Sequence, residues 1–390
     1  MIPYARQHLD EEDIKAVQEV LQSPFLTQGP QLELFEREVA AHGAAAHAVA
    51  VSHATAGLHI ACLALGLGVG DYLWTTPNTF VASANCACYC GAKVDFVDID
   101  PRTYNLCPEK LALKLAEAEV KGQLPKILVA VHFAGQSCDM ERISELAKQY
   151  GFAVIEDASH ALGGTYKGKS IGCCEHSDAT IFSFHPVKSI TSGEGGMVLT
   201  NREDLDKKLR LLRSHGITRN EGEMEGASEG SWYYQQIDLG FNYRMTDIQA
   251  ALGRSQLKKL NRFVERRREL AARYNELLAG LSLILPQQIS YGSSAWHLYV
   301  VRLPRGLRKQ VFDAMRQAGI GVNVHYIPVH LQPFYRRMGF QEGAFPEAER
   351  YYQEALTLPL YYDLTYEEQD YVVNTLDPLL RRGDAKHRGG

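Results

Sequence analysis

Between residues 48 and 155, short apolar runs alternate with longer windows of helical periodicity. The strand-like runs are residues 48–51, 72–75, 94–97, 127–131 and 152–155, and the helical windows between them are residues 55–65, 80–90, 109–119 and 140–150. Strands that alternate with helices favour a mostly parallel sheet with helices on its faces. We therefore predict an α/β fold with its ligand chemistry at the carboxyl ends of the strands.

Amphipathic windows also occur before residue 48 and after residue 155. Further helices are predicted for residues 9–22, 31–42, 307–318, 346–355 and 366–380, with a strand at 298–303, one long helix at 245–279 and a frayed tail from residue 381. In the first helix, Asp10 is the expected cap, and Ile14, Val17, Val20 and Leu21 form the expected apolar face. A chain of 390 residues favours two domains. We expect a large domain at 1–250 and a smaller α+β domain at 251–390.

The overall composition excludes several classes of partner. A net charge of −5 gives no electrostatic basis for binding nucleic acid or an anionic membrane. No apolar run approaches the roughly 20 residues that cross a bilayer, and residues 1–13 lack the apolar core of a signal peptide, so we expect a cytoplasmic protein. The eight cysteines do not have the paired spacing of a structural zinc site. No metal is expected.

Two glycine-rich segments resemble nucleotide-binding motifs but stand in the wrong context. Residues 66–70 follow a helix and precede a strand, which is the reverse of the dinucleotide fingerprint. Residues 163–170 match the P-loop pattern at every position, but no helical window follows the lysine to hold a phosphate. We interpret residues 163–170 as a hairpin.

A lysine stands on a glycine-containing loop between two β-leaning runs. The runs cover residues 179–184 and 197–200, and the loop contains Lys188, Gly193, Gly195 and Gly196. Two short strands can hold such a loop rigidly, and partial burial would disfavour the ammonium form of the amine. Lys188 is therefore a candidate Schiff-base nucleophile, although most loop lysines are simply solvated.

Two further segments supply what a pyridoxal phosphate (PLP) site needs besides a lysine. Such a site requires a carboxylate at the pyridine nitrogen and a cradle for the phosphate. Asp157 follows an apolar run and is expected at the carboxyl end of a strand. Residues 52–57, a small-residue turn that enters a helix, place backbone N–H groups and the Thr55 hydroxyl where phosphate is favoured. Together these segments predict PLP as the cofactor.

Motifs spread along almost the whole chain resemble those of one enzyme family. They are SHATAGLH, TTPNTFVASAN, VIEDASHALGGTYKGKSIG, FSFHPVKSITSGEGGMV, RSHGI, GFNYRMTDIQAALGRSQL and VHYIPVHLQPFYRR. They are similar to the PLP-dependent sugar aminotransferases of the DegT/DnrJ/EryC1/StrS family. The resemblance implies the fold type I architecture of aspartate aminotransferase and a homodimer with shared active sites.

The resemblance also implies a role for each matching residue. Lys188 would bond the cofactor and move the proton, Asp157 would pair with the pyridine nitrogen, and His160 would lie near the ring hydroxyl. The residues implied to hold the cofactor otherwise are Ala54, Thr55, Phe80, Ser183 and, from the second subunit, Asn242. The residues implied to line the sugar-nucleotide site are Tyr4, Phe25, Leu26, Thr27, Tyr243, His325 and Tyr326. His53 departs from the smaller residue common in the family's phosphate turn.

Within the family, the motifs are most similar to those of the C4 aminotransferases of pseudaminic acid biosynthesis. That similarity implies transfer of an amino group from L-glutamate to the C4 ketone of a UDP-linked 2-acetamido-2,6-dideoxy-hexos-4-ulose. C4 aminotransferases for other nucleotide sugars, of the bacillosamine or aminoarabinose type, share most of the motifs and stay open as alternatives. The alternative outside enzymes is a PLP-binding regulatory or scaffold protein, which intact Lys188 and Asp157 disfavour.

Overall fold

The computed structural model describes the backbone of residues 1–387 and the side chains of residues 1–381. In its first half, the helices are α1 Glu11–Leu21, α2 Pro30–Gly43, α3 Ala54–Ala64, α4 Ala82–Tyr89, α5 Pro108–Lys121, α6 Met140–Tyr150 and α7 Glu203–Arg213. The strands interleaved with them are β1 His47–Val51, β2 Tyr72–Thr75, β3 Lys93–Phe96, β4 Ile127–Val131, β5 Ala153–Asp157, β6 Thr165–Tyr166, β7 Lys169–Ser170, β8 Ala179–Ser183 and β9 Gly196–Thr200.

The second half is mainly helical. Its helices are α8 Asp247–Leu257, α9 Leu260–Leu277, α10 Arg308–Gln317, α11 Pro333–Arg336, α12 Pro346–Glu354 and α13 Tyr366–His387. Its strands are β10 Ile217–Thr218, β11 Gln235–Gln236, β12 Gly292–Ser293, β13 Tyr299–Arg302 and β14 Ala355–Leu358. None of the helices within residues 1–387 is both long and apolar enough to cross a lipid bilayer.

A seven-stranded sheet in the order β1-β9-β8-β5-β4-β2-β3 forms the centre of the molecule. The pairs β2–β3, β2–β4, β4–β5 and β5–β8 are parallel, whereas β9 runs antiparallel to both β8 and β1. The registers Val131↔Asp157 and Asp157↔Ile181 bring the ends of three parallel strands to one edge of the sheet. The predicted mostly parallel α/β sheet is confirmed.

Residues 163–170 form the predicted hairpin rather than a P-loop. Strands β6 and β7 pair antiparallel, with Thr165 opposite Ser170 and Tyr166 opposite Lys169. Lys167 and Gly168 make the turn, both with positive φ. The lysine of the apparent phosphate motif, Lys169, therefore lies in a strand, and no helix begins there to bind phosphate.

The prediction of one long helix at residues 245–279 is wrong, because there is a helix break between α8 and α9. Thr246 caps α8 in a reciprocal pair with Gln249, and α8 ends at Leu257. The break directs the buried Lys259 amine to Asp13 of α1, at 2.8 Å. The ion pair is buried, and its lysine lies at the junction between the two helices.

The predicted apolar face of α1 is also only partly right. Asp10 caps the helix as expected, and Val20 is buried, but Ile14 and Leu21 are 64% and 58% exposed. The helix packs on α8 through Asp13, whose carboxylate accepts hydrogen bonds from Lys259 and Gln256. A polar residue therefore stands at the centre of the buried face, which rotates the helix away from the orientation that its apolar residues indicate.

A hydrophobic cluster separate from the central sheet surrounds the small antiparallel sheet of β13 and β14. Its buried members come from α9, α10 and α13 as well as from this sheet and include Leu270, Tyr274, Tyr299, Met315, Leu356 and Leu376. The domain boundary at residue 250 stays a prediction. Helix α13 continues to His387, past its predicted end at residue 380, and residues 388–390 of the predicted frayed tail lie outside the described residues.

Charged side chains form hydrogen bonds with the outward-facing backbone groups of both edge strands of the central sheet, β1 and β3. On β1, Glu36 accepts from Ala50 N–H at 2.8 Å, and the Arg210 and Arg213 guanidinium groups donate to the carbonyls of Ala48 and Ala50 at 2.9 Å. On β3, Asp95 accepts from Phe96 N–H and Lys114 donates to the Phe96 carbonyl. These contacts satisfy backbone groups that a neighbouring strand would otherwise use.

Candidate active site

The carboxyl ends of the parallel strands open into a cavity of about 560 Å³. Most of the site residues expected from the sequence line it: Tyr4, Ala54, Thr55, Phe80, Asp157, His160, Ser183, Lys188, His325 and Tyr326. They come from the ends of β5 and β8, the start of α3, the β2–α4 connection, the β8–β9 loop, the N-terminal segment and the segment after α10. This is the position where open α/β sheets bind ligands.

Lys188 lies on the loop between the antiparallel strands β8 and β9. The start of the loop is fixed because Phe184 O accepts hydrogen bonds from Ser192 N–H and from the Thr191 hydroxyl, both at 3.0 Å. Protein atoms surround the amine, although part of the side chain stays accessible from the cavity. Desolvation lowers the pKa of Lys188 to about 8, against a smaller opposing effect of the Asp157 charge. The loop therefore carries an amine that loses its proton far more readily than an ordinary lysine.

Asp157 ends strand β5, and both of its carboxylate oxygens accept hydrogen bonds. The Ser83 hydroxyl donates to Oδ2 at 2.6 Å, and Ser159 N–H donates to Oδ1 at 3.1 Å. The Ser83 hydroxyl in turn lies 2.8 Å from that of Thr79. These contacts hold the buried carboxylate in one orientation, facing the cavity that Lys188 also lines.

His160 and Tyr326 form a hydrogen-bonded pair on the β4 side of the cavity. Ala134 N–H donates to His160 Nδ1 at 3.3 Å, and His160 Nε2 lies 3.1 Å from the Tyr326 hydroxyl oxygen. Burial, the Lys188 charge and His325 hold the pKa of His160 well below its usual value, so the ring is neutral. Because Nδ1 accepts a hydrogen bond, the single ring proton is on Nε2 and is donated to Tyr326.

Two other buried histidines near Lys188 are also uncharged at neutral pH. Burial lowers the pKa of His325 to about 3, with the Lys188 charge acting in the same direction. Burial likewise holds the pKa of His297 well below its usual value, and its ring lies 4.4 Å from that of His160. These side chains supply polar contacts without adding positive charge beside the Lys188 amine.

Helix α3 begins at the cavity, which Ala54 and Thr55 of its first turn line. The His53 ring caps this helix, since its Nδ1 accepts from Ala56 N–H at 3.0 Å. The departure at His53 therefore keeps the capping function of a smaller polar residue. Gly196 of β9 packs so closely behind the turn that a Cβ there would lie 2.6 Å from Ala54 N. Glycine is required at that position for the turn to lie against the sheet.

Five expected site residues do not line the cavity in this chain. Phe25, Leu26 and Thr27 form an exposed loop, and Asn242 is exposed in a bridge with Ser214. The Tyr243 hydroxyl lies 3.2 Å from His59 Nδ1, and the Tyr243 ring stacks on Phe241. Within one copy of the chain, these residues therefore do not share a cavity with Lys188. For Asn242, a contribution to the second subunit's site requires such a position.

The cavity also includes side chains that sequence reasoning missed. The polar ones are Thr79, Ser159, His185, Glu194 and Asn323. Ser83, which contacts Asp157 rather than the cavity lining, was missed as well. Thr79 and Ser83 lie within the TTPNTFVASAN motif, so the motif could have indicated that this segment belongs to the site. Neither residue type by itself indicates a contact with a carboxylate.

The residues of the cavity fit PLP. The lowered pKa of the Lys188 amine suits it to an aldehyde, and the Asp157 carboxylate can pair with a protonated pyridine nitrogen. The start of α3 and the Ser183 hydroxyl offer hydrogen-bond donors and a favourable dipole for a phosphate.

Comparisons with known proteins agree with this assignment. The chain is 38% identical to a UDP-4-amino-4,6-dideoxy-N-acetyl-beta-L-altrosamine transaminase of Campylobacter jejuni, over 98% of both proteins. Its structure is similar to that of PseC of Helicobacter pylori, an aminotransferase of pseudaminic acid biosynthesis, with a TM-score of 0.90, 29% identity and coverage of 98% and 99%. It is also similar to the PLP-form of Spr1654 of Streptococcus pneumoniae, with a TM-score of 0.89, 29% identity and coverage of 98% and 99%.

A family model matches most of the chain. The model of the DegT/DnrJ/EryC1/StrS aminotransferase family covers residues 7–377. That range includes Lys188, Asp157 and every cavity residue named above except Tyr4. The chain therefore belongs to the DegT/DnrJ/EryC1/StrS aminotransferase family, with the fold type I architecture and PLP as its cofactor.

Proposed function

We propose that this protein transfers the amino group of L-glutamate to the C4 ketone of a UDP-linked 2-acetamido-2,6-dideoxy-hexos-4-ulose, a step of pseudaminic acid biosynthesis. One observation supports the aminotransferase chemistry above all. Lys188, whose amine has a lowered pKa, lines the same cavity as Asp157, whose carboxylate is fixed by hydrogen bonds. The choice of sugar is supported by the names of the Campylobacter relative and of the Helicobacter structure.

In this proposal, Lys188 and Asp157 carry out the proton chemistry. When bound, PLP supplies an aldehyde that takes up the amino group and a protonated ring that stabilises negative charge. Lys188 would hold the cofactor through its amine, and the same amine would move the proton at the reacting carbon. Its lowered pKa suits both roles, because a base works best when its pKa is near the operating pH. Asp157 keeps the proton on the pyridine nitrogen.

Other cavity residues would hold the cofactor in position beside Lys188 and Asp157. Ala54, Thr55 and Ser183 hold the phosphate at the start of α3, where N–H groups and the helix dipole favour an anion. Phe80, which is 58% exposed and lines the cavity, would cover one face of the ring. His160 lies on the side of the cavity where the ring hydroxyl is expected.

The proposed sugar-nucleotide site combines residues of both subunits. Tyr4, His325 and Tyr326 line the cavity of one subunit. The loop of Phe25, Leu26 and Thr27, with Tyr243, would approach from the second subunit, and Asn242 would reach the neighbouring cofactor phosphate. The exposure of Phe25, Leu26, Thr27 and Asn242 in the single chain supports this arrangement, because apolar side chains such as Phe25 and Leu26 gain by burial at an interface. The amino donor, the homodimer and the cytoplasmic location stay predictions.

A panel of nucleotide sugars tests the proposed substrate. The purified protein, loaded with PLP and glutamate, is assayed against UDP-linked 4-keto sugars that differ in configuration, including the bacillosamine- and aminoarabinose-type substrates. We expect the highest kcat/KM for the pseudaminic acid precursor. A preference for another ketone would support the alternative C4 aminotransferase. Binding of PLP without turnover of any ketone would favour the regulatory or scaffold alternative.

Mixed dimers test the shared site. Asn242→Ala should weaken cofactor retention in the neighbouring site, whereas Lys188→Ala removes the amine of its own site. A mixed dimer of the two variants should regain one working site, because one of its cavities has both Lys188 and the partner's Asn242. The two chains are co-expressed with different tags, the mixed dimer is isolated, and transamination is measured. A confirmed mixed dimer without activity would contradict the assignment of Asn242 to the neighbour's site.

A further inference from the structure

We infer that Cys90 is a site of reversible oxidation, whose thiol reacts with a hydroperoxide and then forms a disulfide bond with Cys62. The inference goes beyond the proposed function, and neither the cofactor nor the sugar enters it.

The first step concerns how three thiols come together. His59 and Cys62 are one turn apart on α3, and Cys86 and Cys90 are one turn apart at the end of α4, so each pair lies on one face of its helix. The two helices pack against each other. The Cys62 thiol hydrogen-bonds with the thiols of Cys86 and Cys90, and Cys90 Sγ lies 4.0 Å from the His59 carbonyl oxygen. Cys62 and Cys90 are therefore in contact, and both are reduced.

The second step concerns which thiol reacts first. Cys62 and Cys86 are fully buried, whereas Cys90 is partly exposed. Cys86 also has its proton engaged, because its Sγ donates to the Ser83 carbonyl oxygen at 3.3 Å. The hydrogen bond from Cys62, with one from the His59 side chain, lowers the pKa of Cys90 to about 6 against the effect of burial. Because the thiolate is the nucleophile, Cys90 is the thiol that an oxidant meets in its reactive form.

Metal binding is not the chemistry of this cluster. Among the described residues, no group of histidine, cysteine and acidic side chains has an arrangement that could hold a metal ion. The chemistry left to the cluster is that of the thiols themselves.

The third step concerns the bonds that change. The Cys90 thiolate attacks one oxygen of hydrogen peroxide, the O–O bond breaks, and the departing hydroxide takes up the proton that Cys90 has released, which leaves a sulfenic acid. The Cys62 sulfur then attacks the Cys90 sulfur, the S–O bond breaks, and the second hydroxide takes up the Cys62 proton. Two thiols are oxidised to one disulfide, and the peroxide is reduced to two water molecules.

The first reaction also prepares the second one. Hydrogen bonding to Cys86 and Cys90 holds the pKa of Cys62 well above its usual value, so Cys62 starts as a thiol. Conversion of the Cys90 thiolate to an uncharged sulfenic acid removes one of these contacts, which makes the attack by Cys62 easier.

The disulfide would join two segments that build the active site. Helix α3 begins with Thr55 at the cavity, and α4 carries Ser83, which donates to Asp157. In a compartment that keeps thiols reduced, such a bond is transient and forms only under oxidising conditions.

Peptide mapping of the PLP-loaded protein tests the bond. The protein is treated with hydrogen peroxide at neutral pH, its remaining thiols are alkylated under denaturing conditions, and it is digested with chymotrypsin, whose cleavage after Tyr89 separates Cys90 from Cys86 and Cys88. We expect two peptides joined through Cys62 and Cys90, lighter by two hydrogen atoms than their sum and separated by dithiothreitol. Alkylated Cys62 and Cys90, or a bond made by Cys88 instead, would overturn the inference.

Variants test the order of the two reactions. Cys62→Ser removes the second thiol, so a sulfenic acid at Cys90 should accumulate and be trapped by dimedone. In Cys90→Ser, Cys62 should stay free after the same treatment. A disulfide at Cys62 in Cys90→Ser would contradict the order, and the mapping of the unchanged protein decides the inference if a variant does not fold.

Cys88 supplies the matched control. Its thiol is also partly exposed at the end of α4, but burial raises its pKa. Cys88→Ser should leave the yield of the Cys62–Cys90 bond unchanged. In Cys62→Ser, dimedone should label Cys90 about fivefold faster than Cys88, because more of Cys90 is thiolate while its lower basicity offsets part of that advantage. Equal rates for the two cysteines would count against Cys90 as the reactive thiol.

Discussion

We expect Lys188→Ala to abolish transamination and to remove the borohydride-reducible link between protein and cofactor. Lys188 is the lysine whose amine lines the cavity with Asp157, so its loss removes both the covalent anchor and the proton carrier. The fold should persist, because removing one loop amine opens no core cavity. The measurements are the absorbance spectrum after borohydride reduction, the turnover with glutamate and a keto sugar, and the melting temperature.

A matched control is available in the hairpin. Lys169→Ala removes an amine from another glycine-rich segment, where the side chain is 58% exposed and paired with Glu175. This variant should keep normal activity and normal cofactor content. Normal turnover in Lys188→Ala, or loss of turnover in both variants, would contradict the assignment.

The lowered pKa of Lys188 gives the same prediction a pH dependence. With a pKa of about 8, only the uncharged fraction of the amine can attack an aldehyde. Below pH 8 that fraction falls about tenfold per pH unit, whereas for an ordinary lysine it would keep rising to about pH 10. The rate at which cofactor-free protein captures PLP should therefore rise with pH and level off above about pH 8. Stopped-flow absorbance measures this rate directly.

Asp157→Asn is expected to lower kcat at least about a hundredfold. The change keeps the shape of the side chain but removes the charge that holds the proton on the pyridine nitrogen, and such charge stabilisation is typically worth about 3 kcal/mol. The side chain can stay in place, because an amide oxygen can still accept from Ser159 N–H while the amide N–H₂ faces Ser83. For that, the Ser83 hydroxyl needs only to turn toward Thr79, 2.8 Å away.

Asp178→Asn is the matched control for this effect. Asp178 lies next to the other end of strand β5, where it accepts from Val154 N–H and pairs with Arg202. It is remote from the carboxyl end that forms the cavity, so the variant should keep its turnover. The ring absorbance of the bound cofactor should change in Asp157→Asn and not in Asp178→Asn. Near-normal turnover in Asp157→Asn would mean that another group protonates the ring.

The elements that the sequence predicts best are those whose pattern is local. The apolar run at 127–131 and the helical window at 140–150 match β4 and α6, and Asp157 ends β5 as its position after an apolar run indicates. The carboxyl ends of parallel strands meet at one edge, so the proximity of Asp157 to the other site residues follows once the sheet is predicted.

What the sequence does not predict depends on contacts between distant segments. Ser83 contacts Asp157 only because α4 packs across the strand ends, and the separation of 74 residues has no local signature. The break before α9 likewise lies at Lys259, whose amine contacts Asp13 of the first helix. The tautomer of His160 is decided by Ala134 and Tyr326, which come from opposite halves of the chain.

The charged contacts on β1 and β3 have a consequence for how copies of this chain can associate. An exposed strand edge is a template on which another chain can add a strand, which is how domain swapping and fibril growth begin. Here the carboxylate of Glu36, with Arg210 and Arg213, covers one end of the sheet, and Asp95 with Lys114 covers the other. An incoming strand would have to displace these side chains, and on β1 it would break the buried ion pair of Glu36 and Arg213. Assembly by sheet extension is therefore disfavoured, and side-chain interfaces are left as the route to an ordered oligomer.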